Sequence, residues 1–137
     1  MTPFRIEIPD EDLRDLRDRL SRTRWPDRET VEDWSQGAPL AYMRELCAHW
    51  ADGYDWRATE ARLNTLPQFR TEIAGLGIHF VHVRSRHPDA LPLVLTHGWP
   101  STFAEMLPLV DRLSDRFDLV VPSLPGYAFS QRPSHSG

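Results

Sequence analysis

The chain contains no lysine; all 16 of its basic residues are arginine. It has a single cysteine, Cys47, which excludes an intrachain disulfide and makes a reducing cytoplasm the expected setting. No apolar run approaches the roughly 18 residues of a membrane span, and the N-terminus lacks a signal-peptide pattern, so no membrane anchor is expected. Internal repeats and low-complexity tracts are absent. There is no excess of positive charge either: a formal net charge of −4 gives no reason to expect nucleic acid or an anionic membrane as partner. What remains is 137 residues, 40% apolar and 26% charged, the composition of a globular domain.

The stretch Leu91 to Glu105 organises the rest. Leu93-Val94-Leu95 has the continuous apolar character of a buried central strand over 93–96. It runs into a turn, His97-Gly98-Trp99-Pro100, after which Ser101 or Thr102 can cap a helix, and Thr102 with Glu105 makes a capping box. That helix must bend or restart at Pro108. Asp118-Leu119-Val120-Val121 is a second buried strand. With a helical crossover between them, the two strands are expected to be parallel with a right-handed connection. Ligands in such a sheet bind outside the carboxyl ends of the strands, so chemistry is expected at the His97–Pro100 turn, and Pro122–Tyr127 is a stiff loop leaving the second strand beside it.

The N-terminal half reads as helices. Phe4 to Ile8 alternates as a short strand or extended arm. Asp10 is a suitable N-cap for an amphipathic helix to about residue 23, with Leu13, Leu16 and Leu20 on one face. The acidic residues interleaved with its arginines make a solvated, ion-paired face rather than a nucleic-acid patch. After a polar loop over 26–38, Pro39 opens a second helix, Leu40 to Asp52, whose stripe of Leu40, Met43, Leu46, Cys47 and Trp50 should face a core. Cys47 reads as a small core residue, and His49 lies off the stripe. Asp55 caps a third helix, Trp56 to about Leu66, which Pro67 closes. A β-hairpin follows, 69–74 and 78–84, turning at Gly75-Leu76-Gly77. His79 and His82 have opposite parity on its second strand, so a shared metal is not expected.

Six runs stand out: Trp34-Ser35-Gln36-Gly37, Tyr54-Asp55-Trp56-Arg57, Pro67-Gln68-Phe69, Gly75-Leu76-Gly77-Ile78-His79-Phe80, Thr96-His97-Gly98-Trp99-Pro100 and Pro122-Ser123-Leu124-Pro125-Gly126-Tyr127-Ala128-Phe129-Ser130. Together they resemble the N-terminal portion of epoxide hydrolases of the microsomal and juvenile-hormone type. His-Gly-x-Pro alone occurs across α/β-hydrolases; the ordered set with a helical preface is specific. The chain departs from the family pattern at Ser101-Thr102, where Gly-Ser is common, and at Ala128, where Gly is usual. The implied architecture is α/β: an incomplete α/β-hydrolase fold with an N-terminal helical segment (1–67), then a hairpin and the first parallel βαβ unit (68–137).

The resemblance also implies a chemistry. An Asp opens the epoxide to form an alkyl-enzyme ester, a His activates water to cleave it, and cap-domain tyrosines protonate the epoxide oxygen. Cleaving the ester creates an oxyanion, and the family's backbone donor at the x of His-Gly-x-Pro falls here on Trp99. His97, Gly98 and Pro100 would support that turn: His97 by hydrogen bonding, Gly98 by letting it turn tightly, and Pro100 by stiffening the peptide, cis or trans. Tyr127 is expected to pack the loop, with substrate contact as the alternative. No cofactor and no metal are implied, and the partner is a small-molecule epoxide. No Gly-Gly-Asp-Trp-like nucleophile elbow is present, no candidate catalytic His lies beyond His135, and Asp111, Asp115 and Asp118 sit at the wrong end of the inferred elements. The chain alone is therefore expected to be inactive, and to need a C-terminal portion or another chain to cover its sheet. The alternatives are a piece of another α/β-hydrolase, such as a haloalkane dehalogenase, and a non-catalytic module that docks on a partner chain.

Overall fold

A computed structural model describes residues 1–134; His135 lies outside the described residues. The chain divides into two compact units, one of Glu7–Glu60 and one of Met1–Ile6 with Ala61–Gly137.

The first unit is helical. Helix α1 (Asp10–Ser21) opens on Pro9, so Asp10 is its first helical residue rather than the expected cap. Asp10, Glu11 and Asp12 lie in the first turn, where carboxylates favour the positive end of the helix. Helix α2 (Leu40–Ala48) is N-capped by Pro39 and passes into one wide π-helical turn, His49–Gly53. Helix α3 begins at Trp56 and ends at Leu63, earlier than the expected Leu66. Asp55 does cap it, its carboxylate accepting from the Ala58 N–H at 3.0 Å. The apolar stripe expected to bury on α2 does not: Leu46 and Trp50 are exposed and Cys47 is half-buried.

Polar contacts tie this unit together. Arg57 bridges Asp10 and Glu60, and the Glu60 carboxylate also accepts from the Ile8 N–H at 2.7 Å. Glu29 accepts from the Leu40 N–H at 2.8 Å, and the Trp34 and Tyr42 rings meet edge to face at 5.1 Å. The Asp10, Glu29, Asp33 and Glu60 carboxyls all sit below their ordinary range. The leading cause is a hydrogen bond in each case: from Arg57, the Leu40 N–H, Ser35 and the Ile8 N–H respectively.

The second unit is built on a mixed five-stranded sheet of order β1-β2-β3-β5-β4. Strand β1 (Thr2–Pro3) pairs antiparallel with β2 (Gln68–Ile73). The strand thus lies before Phe4–Ile8, which is the extended arm; its Ile6 is buried, with its N–H donated to Asn64 Oδ1 at 2.9 Å. Strand β3 (Leu76–Val83) completes the hairpin, with Ile73 opposite Leu76. The turn is therefore the two residues Ala74 and Gly75, at φ 50° and 79°, and not Gly75-Leu76-Gly77. Two positive φ values make the turn whose twist matches the flanking strands.

Strand β4 (Leu91–Val94) and β5 (Phe117–Pro122) are parallel, and β5 is antiparallel to β3. The crossover starts as a 3₁₀ turn, Phe103–Met106, and becomes helix α4 (Leu107–Leu113) with Pro108 in its first turn, where the missing N–H costs nothing. Thr102 caps the 3₁₀ turn by accepting from the Ala104 N–H. The expected reciprocal bond of a capping box is absent, because the Glu105 carboxylate accepts from the Ser101 hydroxyl instead. The core is apolar where β3, β5 and the crossover meet: Val81, Phe103, Val110, Leu119 and Val121 are all buried. Strand β4 is an edge strand and not the expected buried central one: it pairs with β5 alone, and its Leu91 and Val94 are 64% and 59% exposed.

Candidate functional site

The parallel ladder between β4 and β5 continues one residue past Val94, where the Leu95 N–H donates to the Val120 carbonyl at 2.9 Å. Two residues later the chain leaves the carboxyl end of β4 as His97-Gly98-Trp99-Pro100. His97 is buried, although Thr96, Gly98, Trp99 and Pro100 around it are exposed. Its ring joins two loops. Nε2 accepts from the Leu124 N–H at 3.1 Å, so Nδ1 carries the proton and donates to the Gly98 carbonyl at 2.9 Å. The Tyr127 ring stands edge-on to the His97 ring, 5.2 Å between centroids. With both nitrogens engaged on backbone groups, His97 is placed to hold the turn and has no free nitrogen for a proton relay.

The Trp99–Pro100 peptide is cis, and Trp99 is 83% exposed. Among the described residues no hydrogen bond uses the Trp99 N–H. Gly98 does not have the positive φ that a glycine-dependent turn would show, and a Cβ built on it meets nothing within 4 Å. The left-handed conformation that glycine favours is thus not used at Gly98; what glycine leaves there is open space beside the Trp99 N–H.

The loop after β5 turns back along β3. The Ser123 N–H donates to the His79 carbonyl at 2.9 Å, and the His79 N–H donates to Ser130 Oγ at 2.9 Å. Ser130 Oγ in turn donates to the Ser123 carbonyl at 2.7 Å. Gly77 and Gln131 exchange two further bonds, and Arg70 donates to the Phe129 carbonyl. Within the loop, Gly126 and Ala128 have φ of 82° and 42°, so Ala128 holds a conformation that favours glycine.

Beneath this loop lies a buried polar chain. Gln68 Nε2 donates to the Leu63 carbonyl at 2.9 Å, leaving Oε1 to accept from His79 Nε2 at 3.0 Å. His79 Nδ1 then accepts from Ser123 Oγ at 2.8 Å. His79 is fully buried, and Phe4, Phe103 and Phe129 surround its ring edge to face at 4.9 to 5.3 Å. Burial in this aromatic box, with the Arg70 charge as a second cause, pushes its pKa down to about 4. The two histidines are therefore opposite tautomers: His97 protonated on Nδ1, His79 on Nε2 and neutral.

Sequence reasoning placed His97, Gly98, Trp99, Pro100 and Tyr127 in one loop cluster, and the structure brings them together. It assigned no role to His79, Gln68, Ser123 or Ser130. The available signal was a histidine set between Ile78 and Phe80-Val81, in the apolar middle of a strand. Asp118 lies toward the amino end of β5 and is engaged there, accepting from the Ser85 N–H at 2.8 Å, away from the His97 turn. Among the described residues no cluster of His, Cys, Asp and Glu has the makings of a metal site.

The family model described as epoxide hydrolase N terminus matches residues 1–106, which takes in the helical segment, the hairpin and the His97 turn. The chain belongs to the epoxide hydrolase N-terminus family. It is 50% identical over 147 residues to a protein from Stigmatella aurantiaca (strain DW4/3-1) that bears an epoxide hydrolase name, a match covering 100% of this chain and 33% of that protein. It is 37% identical to juvenile hormone epoxide hydrolase 2 of Ctenocephalides felis, over 100% of this chain and 32% of that one. Among solved structures, the Aspergillus niger epoxide hydrolase superposes with a TM-score of 0.90 at 38% identity, over 99% of this chain and 38% of that chain. The fold is accordingly a partial α/β-hydrolase, and the chain spans about a third of the length of the curated relatives it matches. The haloalkane dehalogenase alternative does not account for a match that includes the helical segment. Among the described residues no helix is long and apolar enough to cross a membrane.

Proposed function

We propose that residues 91–130 form one wall of an epoxide hydrolase active site, in which the Trp99 backbone N–H donates to the oxyanion that develops when an alkyl-enzyme ester is cleaved. The observation that carries this reading is the unclaimed Trp99 N–H, on a turn whose neighbour His97 is bonded on both sides. A donor aimed in advance at developing charge needs no reorganisation during the reaction, and losing one costs roughly 3 kcal/mol. Tyr127, against His97, steadies the loop at the edge of the same pocket.

The nucleophile, the base and the acid are not supplied by these residues. They come from a further part of the polypeptide or from a second chain, which also covers β4, where Leu91 and Val94 are open. We take 1–67 as the helical segment and 68–137 as the beginning of the catalytic core, in a cytoplasmic protein without cofactor.

The test uses the natural polypeptide that carries this sequence and follows single-turnover epoxide hydrolysis. Trp99→Phe keeps the N–H and should leave ester cleavage near its original rate. Trp99→Pro removes it and should slow ester cleavage by roughly a hundredfold or more. Equal rates for the two variants would remove Trp99 from the reaction. The isolated 137 residues should show no turnover; turnover abolished by one substitution within them would overturn the division of labour.

A further inference from the structure

We infer that His79 is a positioning residue for the His97–Pro100 turn, acting through the loop that follows β5. The inference rests on the reading of that turn as an active-site wall. Its basis is a continuous set of bonds. From the Leu63 carbonyl the chain runs through Gln68 and the His79 ring to Ser123 Oγ. The backbone at Ser123 is clamped a second time, its N–H on the His79 carbonyl and its carbonyl on Ser130 Oγ. The next residue is Leu124, whose N–H reaches His97 Nε2. The His97 ring then holds the Gly98 carbonyl, which belongs to the peptide whose N–H is that of Trp99. Every atom between His79 and that N–H is thus either bonded or covalently fixed.

The chemistry of the side chain suits the task. A neutral imidazole offers one donor and one acceptor on opposite sides of a rigid ring, and here the donor meets Gln68 and the acceptor meets Ser123. Leucine would fill the aromatic box but leave the Gln68 and Ser123 polar atoms buried without partners. The box itself, of Phe4, Phe103 and Phe129, keeps water from competing for those bonds. Among the described residues no hydrogen bond or ring contact joins His79 to Trp99, so the bonded route from one to the other is through Ser123, Leu124 and His97.

The experiment compares Ser123→Ala and His79→Gln with the unsubstituted natural polypeptide. It measures hydrogen exchange of the 96–103 and 122–131 segments alongside the separate rates of epoxide opening and ester cleavage. Exchange in both segments should rise, protection of β3 and β5 should persist, and ester cleavage should slow roughly tenfold to a hundredfold while ring opening stays within about twofold. Ser123→Ala removes only one hydroxyl, so it decides the matter if His79→Gln fails to fold. Faster exchange confined to 122–131, or equal slowing of both steps, would overturn the inference and make His79 a core residue only. If the unsubstituted polypeptide opens no epoxide, the functional reading fails by itself. The coupling of His79 to the turn is then judged by exchange at 96–103, a rise supporting it and no change overturning it.

Discussion

The helical unit and the sheet unit are held together by different physics. In the sheet unit Ile6, Leu63, Ile78, Phe80, Val81, Phe103, Val110, Leu119 and Val121 are buried. In Glu7–Glu60 the one buried residue is charged, Glu60, while Trp34, Tyr42, Leu46, Trp50 and Tyr54 are exposed. The sheet unit therefore draws on removal of apolar surface from water, worth about 25 cal/mol per Å². The helical unit draws on caps and ion pairs, whose individual contributions are small where solvent reaches them. The candidate turn stands on the unit with the apolar core, and the donor proposed on it would need such firmly packed neighbours to keep its aim.

The sharpest way to break this comparison is paired truncation. Leu119→Ala should cost about 3 kcal/mol in chemical denaturation of the natural polypeptide, because it empties a fully buried site. Leu46→Ala on α2 should cost less than about 1 kcal/mol. Equal costs would mean that the helical unit has an apolar core after all.

Acid should separate the two units by window. In the unfolded chain His79 binds a proton near its ordinary 6.5, in the folded chain only near 4. Between those values the unfolded state holds more protons, so stability falls as pH drops through the window, by about 3 kcal/mol once below pH 4. Above 6.5 the term is fully favourable. His79→Gln should flatten that slope. Asp10, Glu29, Asp33 and Glu60 have lowered values, so their contributions are complete above about 4.5 and are lost only as pH falls below it. Denaturation midpoints from pH 7.5 to 3.5, read by probes in each unit, check the order; simultaneous loss would contradict it.

The smallest effects concern two backbone positions of the sheet unit. Ala74 and Ala128 adopt left-handed conformations with an ordinary side chain. Ala74→Asn and Ala128→Gly should each raise stability by up to about 1 kcal/mol in the natural polypeptide, since both replacements tolerate positive φ, although glycine returns part of the gain as unfolded-state entropy. A loss on either substitution would show that the alanine methyl packs against something the turn needs.

How far the sequence could be read differs in the same way. The Asp55 cap, the restart at Pro108 and the parallel pairing across the crossover were legible because each depends on a few adjacent residues. The hairpin turn was displaced because Gly75 and Gly77 offer two turning points, and the choice lies with the register of Ile73 against Leu76. The stripe on α2 pointed to a core because periodicity records which face is apolar, and not whether anything lies against it. In the site, the cluster from His97 to Pro100 and Tyr127 was legible as a motif. The chain of Gln68, His79, Ser123 and Ser130 was not, since its members are separated by up to 62 positions and meet only through the pairing of β2, β3 and β5.

By itself, the sequence determined the family, the order of helices and strands, and the turn on which the proposed donor sits, because local conformational preference and motif are written in neighbouring residues. Only the tertiary structure decided that β1 pairs at Thr2–Pro3, that Gly98 adopts no left-handed turn, and that His79 is a buried neutral ring tied to the same loop as His97. Those outcomes depend on desolvation and on which polar atoms find partners across the sheet, and both are properties of the assembled chain.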